Sequence, residues 1–398
     1  MLENLRIKNY RILKNLTFDR FSHVNLLVGQ NSVGKTTVLE AIHMFSRLGS
    51  PLLIEELLGI RDDMLNSHQS EESLRLPVEQ LFNGRQFSDL ASDNEIYIGN
   101  FSESESLKIQ RMFYRKSEVS INEISLDEES DFRQILSKLK GKEIGLTLPD
   151  KITGDEQQKL KMVSKNFFLS KPSIAKRFTP EGTFIVNLYF DNYKKNEYAR
   201  SEAKLTQEAS IEYPVKYVPT GVIPLEDLAE TWDKLTLTSD EQIVIDALNL
   251  IKNVSIEKLN FRSNTYNNKR IPIVKLANTE TPIPLKNLGE GIARILQLIL
   301  SLLQVKGGFL LIDEFENGLH YSIQPKVWDL LFRLSDELNI QVFATSHSKD
   351  TIESFSQVWS DFETQGSFYR LSLRETVKAI SYSCEDMRDA LDVDIDVR

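Results

Sequence analysis

The run Gly29-Gln30-Asn31-Ser32-Val33-Gly34-Lys35-Thr36 keeps the spacing G-x-x-x-x-G-K-[ST], and each residue type in it has a chemical reason. Gly29 and Gly34 let a loop wrap closely round a phosphate chain, so that backbone N–H groups and the start of a helix face negative charge. Asn31 and Thr37 belong to the same cradle. The ammonium of Lys35 would reach the β- and γ-phosphates, and the hydroxyl of Thr36 is a hard oxygen donor suited to Mg2+. The flanks fit: the apolar run Val24-Asn25-Leu26-Leu27-Val28 precedes the loop, and a helical run from Lys35 to Arg47 comes after it. The pattern implies a site for ATP with Mg2+.

Far downstream, the apolar Phe309-Leu310-Leu311-Ile312 ends in Asp313 and Glu314. Two acids after a strand are often only a solvated turn, but a phosphate loop upstream favours a chemical role. Asp313 would hold Mg2+, usually through water, and Glu314 would polarise the attacking water as the catalytic base. His347 closes the next strand, in Val342-Phe343-Ala344-Thr345-Ser346-His347-Ser348. A histidine at a strand end is commonly structural, but its place one βα unit after the acids favours catalysis. Asn287-Leu288-Gly289-Glu290-Gly291 opens a long helix. It is either a helix N-cap with glycines for tight packing or a second anion-binding helix start.

In order and content these segments resemble the nucleotide site of ABC-type ATPases. The resemblance implies that His347 is the switch histidine that contacts the γ-phosphate. It makes Asn287, Gly289, Glu290 and Gly291 the signature loop, which binds the γ-phosphate held by a second subunit. The usual Ser-Gly-Gly core is replaced here, with Asn287 standing in for the hydroxyl. Each active site then needs two chains, and a homodimer or higher homo-oligomer is expected.

More narrowly, Gly307-Gly308-Phe309-Leu310-Leu311-Ile312-Asp313-Glu314-Phe315-Glu316-Asn317-Gly318-Leu319-His320, together with Gln341 to Ser348, resembles the OLD-like ABC-type ATPases, relatives of RecF and SMC heads. Leu5-Arg6-Ile7-Lys8-Asn9-Tyr10-Arg11 is similar to their opening strand, whose arginine lies near the nucleotide. Tyr217-Val218-Pro219-Thr220, Thr231 to Leu235 and Phe368 to Leu371 also match stand-alone members. The resemblance covers about 1–100 and 214–398. It implies that Asn317 to His320 form the loop after the acids and that Gln80 or Gln86 faces the nucleotide. Glu316 would either assist Glu314 or, as preferred on sequence, be an exposed turn residue.

For function the resemblance implies an ATPase that gates a separate effector protein, above all a nuclease, in a prokaryotic anti-phage defence system of the kind PARIS and Septu represent. The alternative is a RecF-like repair or recombination ATPase that clamps DNA, with Lys159, Lys161, Lys165, Lys171, Lys176 and Arg177 as its basic surface. A transporter subunit is disfavoured by the altered signature loop, the polar middle region and Leu319-His320. No sustained heptads point to SMC-type arms. The tail Asp392-Val393-Asp394-Ile395-Asp396 has an Asp-x-Asp spacing but reads as a solvated acidic end, so no nuclease is expected within the chain.

Such groups need strands that end together at one sheet edge. Leu288, Ile292, Ile295, Leu296, Ile299, Leu302 and Leu303 fall on one helix face, and Ile323, Val327, Leu330, Leu331, Leu334 and Leu338 on the next. The run Gly308 to Ile312 lies between them, and Ile340 to Ala344 comes after both. Helix, strand, helix, strand predicts an α/β fold: a P-loop NTPase head of the ABC type with a mainly parallel sheet. Residues 1–99 and 214–398 would form the two parts of this head. The stretch 100–213 is poorer in apolar residues and reads as a mixed α+β insert domain, with a helix over Phe132–Leu139 and a strand over Thr183–Phe190.

Composition narrows the classes further. The 398 residues exceed one ordinary domain. A net charge of −10 argues against indiscriminate coating of nucleic acid and leaves a local basic patch open. One cysteine, Cys384, and five histidines exclude a disulfide framework and a Cys-based zinc site. The longest apolar run, Ile295 to Val305, is broken by Gln297, Ser301 and Gln304 and is too short to span a bilayer. The N-terminus lacks a signal-peptide core, so a cytoplasmic location without a membrane partner is expected.

Overall fold

The computed structural model describes residues 1–47, 49–61, 63, 78–85, 95–102, 105–111, 173–179, 182–187, 213–221, 223–252, 254–263, 269–289, 291–393 and 397. In chain order the first elements are β1 (Leu5–Tyr10), β2 (Leu13–Phe18), β3 (Val24–Val28), α1 (Lys35–Ser46), α2 (Pro51–Ile60), β4 (Glu95–Gly99), β5 (Ser106–Arg111), β6 (Ser173–Thr179) and β7 (Gly182–Asn187). Next come β8 (Val215–Val218), α3 (Leu225–Leu235), α4 (Ser239–Lys252), β9 (Ile256–Ser263), β10 (Arg270–Leu276), β11 (Ile283–Pro284) and α5 (Ile292–Leu303). The last are β12 (Phe309–Ile312), α6 (Gln324–Glu337), β13 (Gln341–Ser346), α7 (Lys349–Trp359), β14 (Gly366–Leu373), β15 (Val377–Tyr382) and α8 (Cys384–Asp392).

The sheet that carries the motifs runs β15-β14-β3-β13-β12-β8, parallel from β14 to β8, with β15 antiparallel at one edge. Its inner strands are apolar on both faces because both are covered. Val24, Leu26, Leu310, Ile312, Val342 and Ala344 pack on one side with residues of α3 to α8. Leu27, Phe309, Leu311 and Phe343 pack on the other against α1 and the N-terminal sheet. Asn25 is the polar exception within β3, and its side chain is fully used: it donates to Ser22 O (2.8 Å) and Val342 O (3.0 Å) and accepts from Ser22 N (2.9 Å). A buried amide left unpaired would cost about 1–3 kcal/mol.

The second sheet, β2-β1-β4-β5-β6-β7, is antiparallel throughout, and α1 lies between the two sheets. Every residue of α1 except Thr36 and His43 is therefore buried. The boundary drawn at 99/100 on sequence crosses a hairpin, since Gly99 of β4 lies opposite Ser106 of β5, and β6 and β7 extend the same sheet. The expected strand over Thr183–Phe190 is found as β7, Gly182–Asn187. The expected helix at Phe132–Leu139 lies outside the described residues, as do Lys159, Lys161, Lys165 and Lys171; Lys176 and Arg177 fall on β6. A three-stranded sheet, β11-β10-β9, packs on α3 and α4.

Two helices begin later than their apolar periodicity suggests. Leu288 belongs to a 3-10 turn, and α5 starts only after Gly291 at φ 83°. Ile323 likewise closes a 3-10 turn before α6, whose second residue, Pro325, suits a helix start. Among the described residues no helix is long and apolar enough to cross a membrane. Cys384 is buried at the start of α8, where desolvation raises its thiol pKa.

Candidate active site

The parallel strands end in register: Val28 lies opposite Ser346, and Ile312 opposite both Ala344 and Val218. The segments leaving these strands meet at that edge. The glycine loop leaves β3, Asp313 and Glu314 leave β12, His347 leaves β13, and Pro219-Thr220 leave β8. The crevice beyond the carboxyl ends of strands is where open α/β sheets bind ligands.

The loop after β3 is held in a conformation that glycine favours. Gly29 has φ 151°, and a Cβ there would stand 2.6 Å from Leu371 O and 2.9 Å from Val33 Cγ1. Gly34 caps α1 in the left-handed region. The Lys35 side chain folds back over its own loop and donates to Gly29 O (2.7 Å) and Gln30 O (3.0 Å). Burial lowers its pKa, and the nearby Glu314, Glu316 and Asp313 counter that effect.

A cavity of about 800 Å³ opens over this loop. Asn31, Gly34, Lys35, Thr36 and Thr37 form its floor, with Asp313 and Glu314 at its wall. Gln80 lines it as well, whereas Gln86 lies outside the described residues. Arg11, Arg61 and Arg85 give it a cationic side. Arg11 stands in the β1–β2 turn with φ 49° and donates from Nη1 to Asp63 (2.8 Å), with Glu40 of α1 3.2 Å from its Nε. Arg61 donates to the other Glu40 oxygen at 2.8 Å. Glu40 thus ties two cavity arginines to the helix that starts at Lys35. Burial pushes its pKa up, while the two guanidiniums pull it down.

Asp313 accepts from three hydroxyls: Thr345 Oγ1 at 2.6 Å, Tyr217 Oη at 3.1 Å, and Thr36 Oγ1 at 3.0 and 3.1 Å. One hydroxyl and one carboxylate facing each other over a phosphate loop are a hard-oxygen donor pair that fits Mg2+, whose remaining ligands are usually phosphates and water. Glu314 adopts φ 49°, and its N–H donates to Thr345 Oγ1 (2.9 Å). Burial, and then the Asp313 charge, raise the pKa of Tyr217, so the phenol stays a donor.

His347 is half-exposed beside two carboxylates. Its backbone N–H donates to Glu316 Oε1 (3.0 Å), and its Nδ1 lies 3.2 Å from Glu316 Oε1 and 3.6 Å from Glu314 Oε1. Glu316 is therefore not the exposed turn residue preferred on sequence. Its side chain is only 15 % exposed because the chain after β12 turns it back under His347.

The Asn287–Gly291 segment stands apart from the cavity wall. Asn287 and Gly289 are exposed, and Glu290 lies outside the described residues. Gly291 meets the loop after β12 closely, since a Cβ there would come 2.6 Å from Gly318 O. Arg294, in the first turn of α5, is buried and donates to Pro219 O (2.9 Å), and its burial lowers its pKa to about 10. The Asn317 amide donates to Thr220 O, joining the loops after β12 and β8. Sequence reasoning missed Thr345, Tyr217, Glu40, Arg61 and Arg294. Tyr217 carried a signal within the Tyr217–Thr220 match, and Thr345 within the Gln341–Ser348 match.

Residues 1–352 match the model of the AAA ATPase domain family, AAA_15. This chain belongs to that family. The membership makes it a nucleotide-binding ATPase domain with its phosphate loop, acidic pair and His347 all inside the matched span. A curated relative of this family member, an ATP/GTP phosphatase from Helicobacter pylori (strain ATCC 700392 / 26695), is 24% identical over 367 residues, covering 90% of this chain and 88% of that protein. Similar solved structures include an SMC head bound to the C-winged helix domain of ScpA, at 13% identity and TM-score 0.45, covering 98% of this chain and 99% of that one. The SMC head domain from Thermotoga maritima is similar at 10% identity and TM-score 0.41, covering 96% and 99%.

Proposed function

We propose that this ATPase hydrolyses ATP with Mg2+ in a site completed by a second copy of the chain, and that the closed assembly gates a separate effector. The observation that carries the hydrolytic part is the meeting of Lys35, the Thr36–Asp313 pair and the Glu314–His347–Glu316 cluster at one sheet edge. Lys35 exchanges two neutral carbonyls for the β- and γ-phosphates, a charge-assisted gain. Thr36 and Asp313 hold the metal, which when bound neutralises charge developing on the phosphates. Glu314, with its side chain 38% exposed, stands open to water and orients the attacking molecule. His347 contacts the γ-phosphate and is kept in place by Glu316. Arg11, Arg61 and Arg85 supply positive charge to the rest of the nucleotide.

The second copy enters through Asn287, Gly289, Glu290 and Gly291. Asn287 and Gly289 are exposed at the approach to α5 and stand outside the cavity of their own chain, so they are free to meet a γ-phosphate held elsewhere. Contacts from both copies would stabilise a closed form that hydrolysis releases. The effector, a nuclease above all, and a cytoplasmic anti-phage role rest on the likeness to OLD-like ATPases. Pull-down of tagged Glu314→Gln protein with ATP from its native host tests this part. A stoichiometric nuclease-like partner is expected; recovery of DNA alone, lost at moderate salt, would refute gating and favour a DNA clamp.

A further inference from the structure

The two strands that flank β12 each place one hydroxyl on the acid that ends it. From β8, Tyr217 lies opposite Leu311 and its Oη donates to Asp313 Oδ2 at 3.1 Å. From β13, Thr345 comes next after Ala344, which lies opposite Ile312, and its Oγ1 donates to Asp313 Oδ1 at 2.6 Å. The carboxylate is thus gripped through both oxygens, from both sides, by groups fixed in the sheet. Thr345 Oγ1 is used twice, since it also accepts the Glu314 N–H at 2.9 Å. The backbone of the same residue accepts the Phe315 N–H at 2.9 Å. Tyr217 is itself steadied by His43 of α1, whose ring lies parallel to it within 3° at 6.0 Å.

We propose that Tyr217 and Thr345 are positioning residues for the metal. They set the plane of the Asp313 carboxylate toward Thr36, and Thr345 couples that plane to the backbone of Glu314. The inference rests on the reading of Asp313 as the metal carboxylate. Hydrogen-bond partners of a metal-holding group fix its orientation, and their loss costs about 10–100-fold in metal affinity. Neither residue lines the cavity, so their hydroxyls act on Asp313 and not on the nucleotide.

The test uses the full chain and a non-hydrolysable ATP analogue, with affinity measured in EDTA and across a Mg2+ titration. Thr345→Val and Tyr217→Phe each delete one hydroxyl and little volume; Thr345→Ser restores the hydroxyl, and Asp313→Ala removes the carboxylate. The expected result is an analogue affinity in EDTA within about twofold of wild type for the two deletions. Their Mg2+ midpoint should rise about 10–100-fold, with Thr345→Ser close to wild type. Unchanged midpoints in Thr345→Val and Tyr217→Phe, with a raised midpoint in Asp313→Ala, would overturn the proposal and leave the metal reading standing. An unchanged midpoint in Asp313→Ala would overturn both. If Thr345→Val does not fold, Tyr217→Phe decides the matter alone.

Discussion

Lowering the pH should loosen the structure at His43, and the size of the effect can be worked out from its surroundings. His43 lies on α1 between the two sheets, stacked on Tyr217, and burial, aided by the charge of Arg47, lowers its pKa from 6.5 to about 4. The folded value lies below the unfolded one, so the neutral ring contributes fully above about pH 6.5 and loses that contribution as pH falls toward about 4. At about 1.4 kcal/mol per pK unit the whole span is worth about 3.5 kcal/mol, of which about 2 kcal/mol is lost by about pH 5. Chemical unfolding of wild type and His43→Gln between about pH 7.5 and about pH 5 measures this. Other groups titrate alike in both proteins, so the stability gap between them should move by about 2 kcal/mol in favour of His43→Gln. Parallel curves would refute the reasoning and place the His43 ring in contact with solvent.

Three further outcomes are expected at the site. Gly29→Ala sets a Cβ 2.6 Å from the Leu371 carbonyl at φ 151°, and should destabilise the fold by about 1–3 kcal/mol in denaturant unfolding while weakening nucleotide binding. Glu40→Gln removes the charge that Arg11 and Arg61 share; because Arg11 keeps Asp63 as a partner and Arg61 is partly exposed, the loss should be about 1–3 kcal/mol in the same measurement. Glu316→Gln keeps an acceptor for His347 N–H but removes the charge beside the ring. It should lower kcat about tenfold in a phosphate-release assay with KM little changed.

The sequence was most legible where burial and motif chemistry coincide. Val24–Val28, Phe309–Ile312 and the strand before His347 are apolar because parallel strands bury both faces, and the groups after them had to share an edge once the strands were ordered. The N-terminal sheet was harder to read. In Ser106-Leu107-Lys108-Ile109-Gln110-Arg111 the buried Leu107 and Ile109 alternate with polar residues, a weaker signal than the apolar runs of the parallel strands. Glu316 was misjudged because an acid in a turn gives no local sign of being folded back beneath a histidine. Tyr217 and Thr345 owe their contact with Asp313 to β8 and β13 flanking β12, a neighbourhood set by topology across separations of 96 and 32 residues. The pairing of Glu40 with Arg61 likewise depends on where α2 ends relative to α1.

The most direct test of the account compares nucleotide binding and single-turnover hydrolysis of Mg–ATP in wild type, Lys35→Ala and Glu314→Gln. Lys35→Ala should neither bind nor hydrolyse, because the loop loses the ammonium that lines its floor. Glu314→Gln should bind ATP with near wild-type affinity, remain associated as a closed assembly, and hydrolyse at least about 100-fold more slowly. Hydrolysis by Glu314→Gln at the wild-type rate would contradict the assignment of the acid after β12 as the catalytic base.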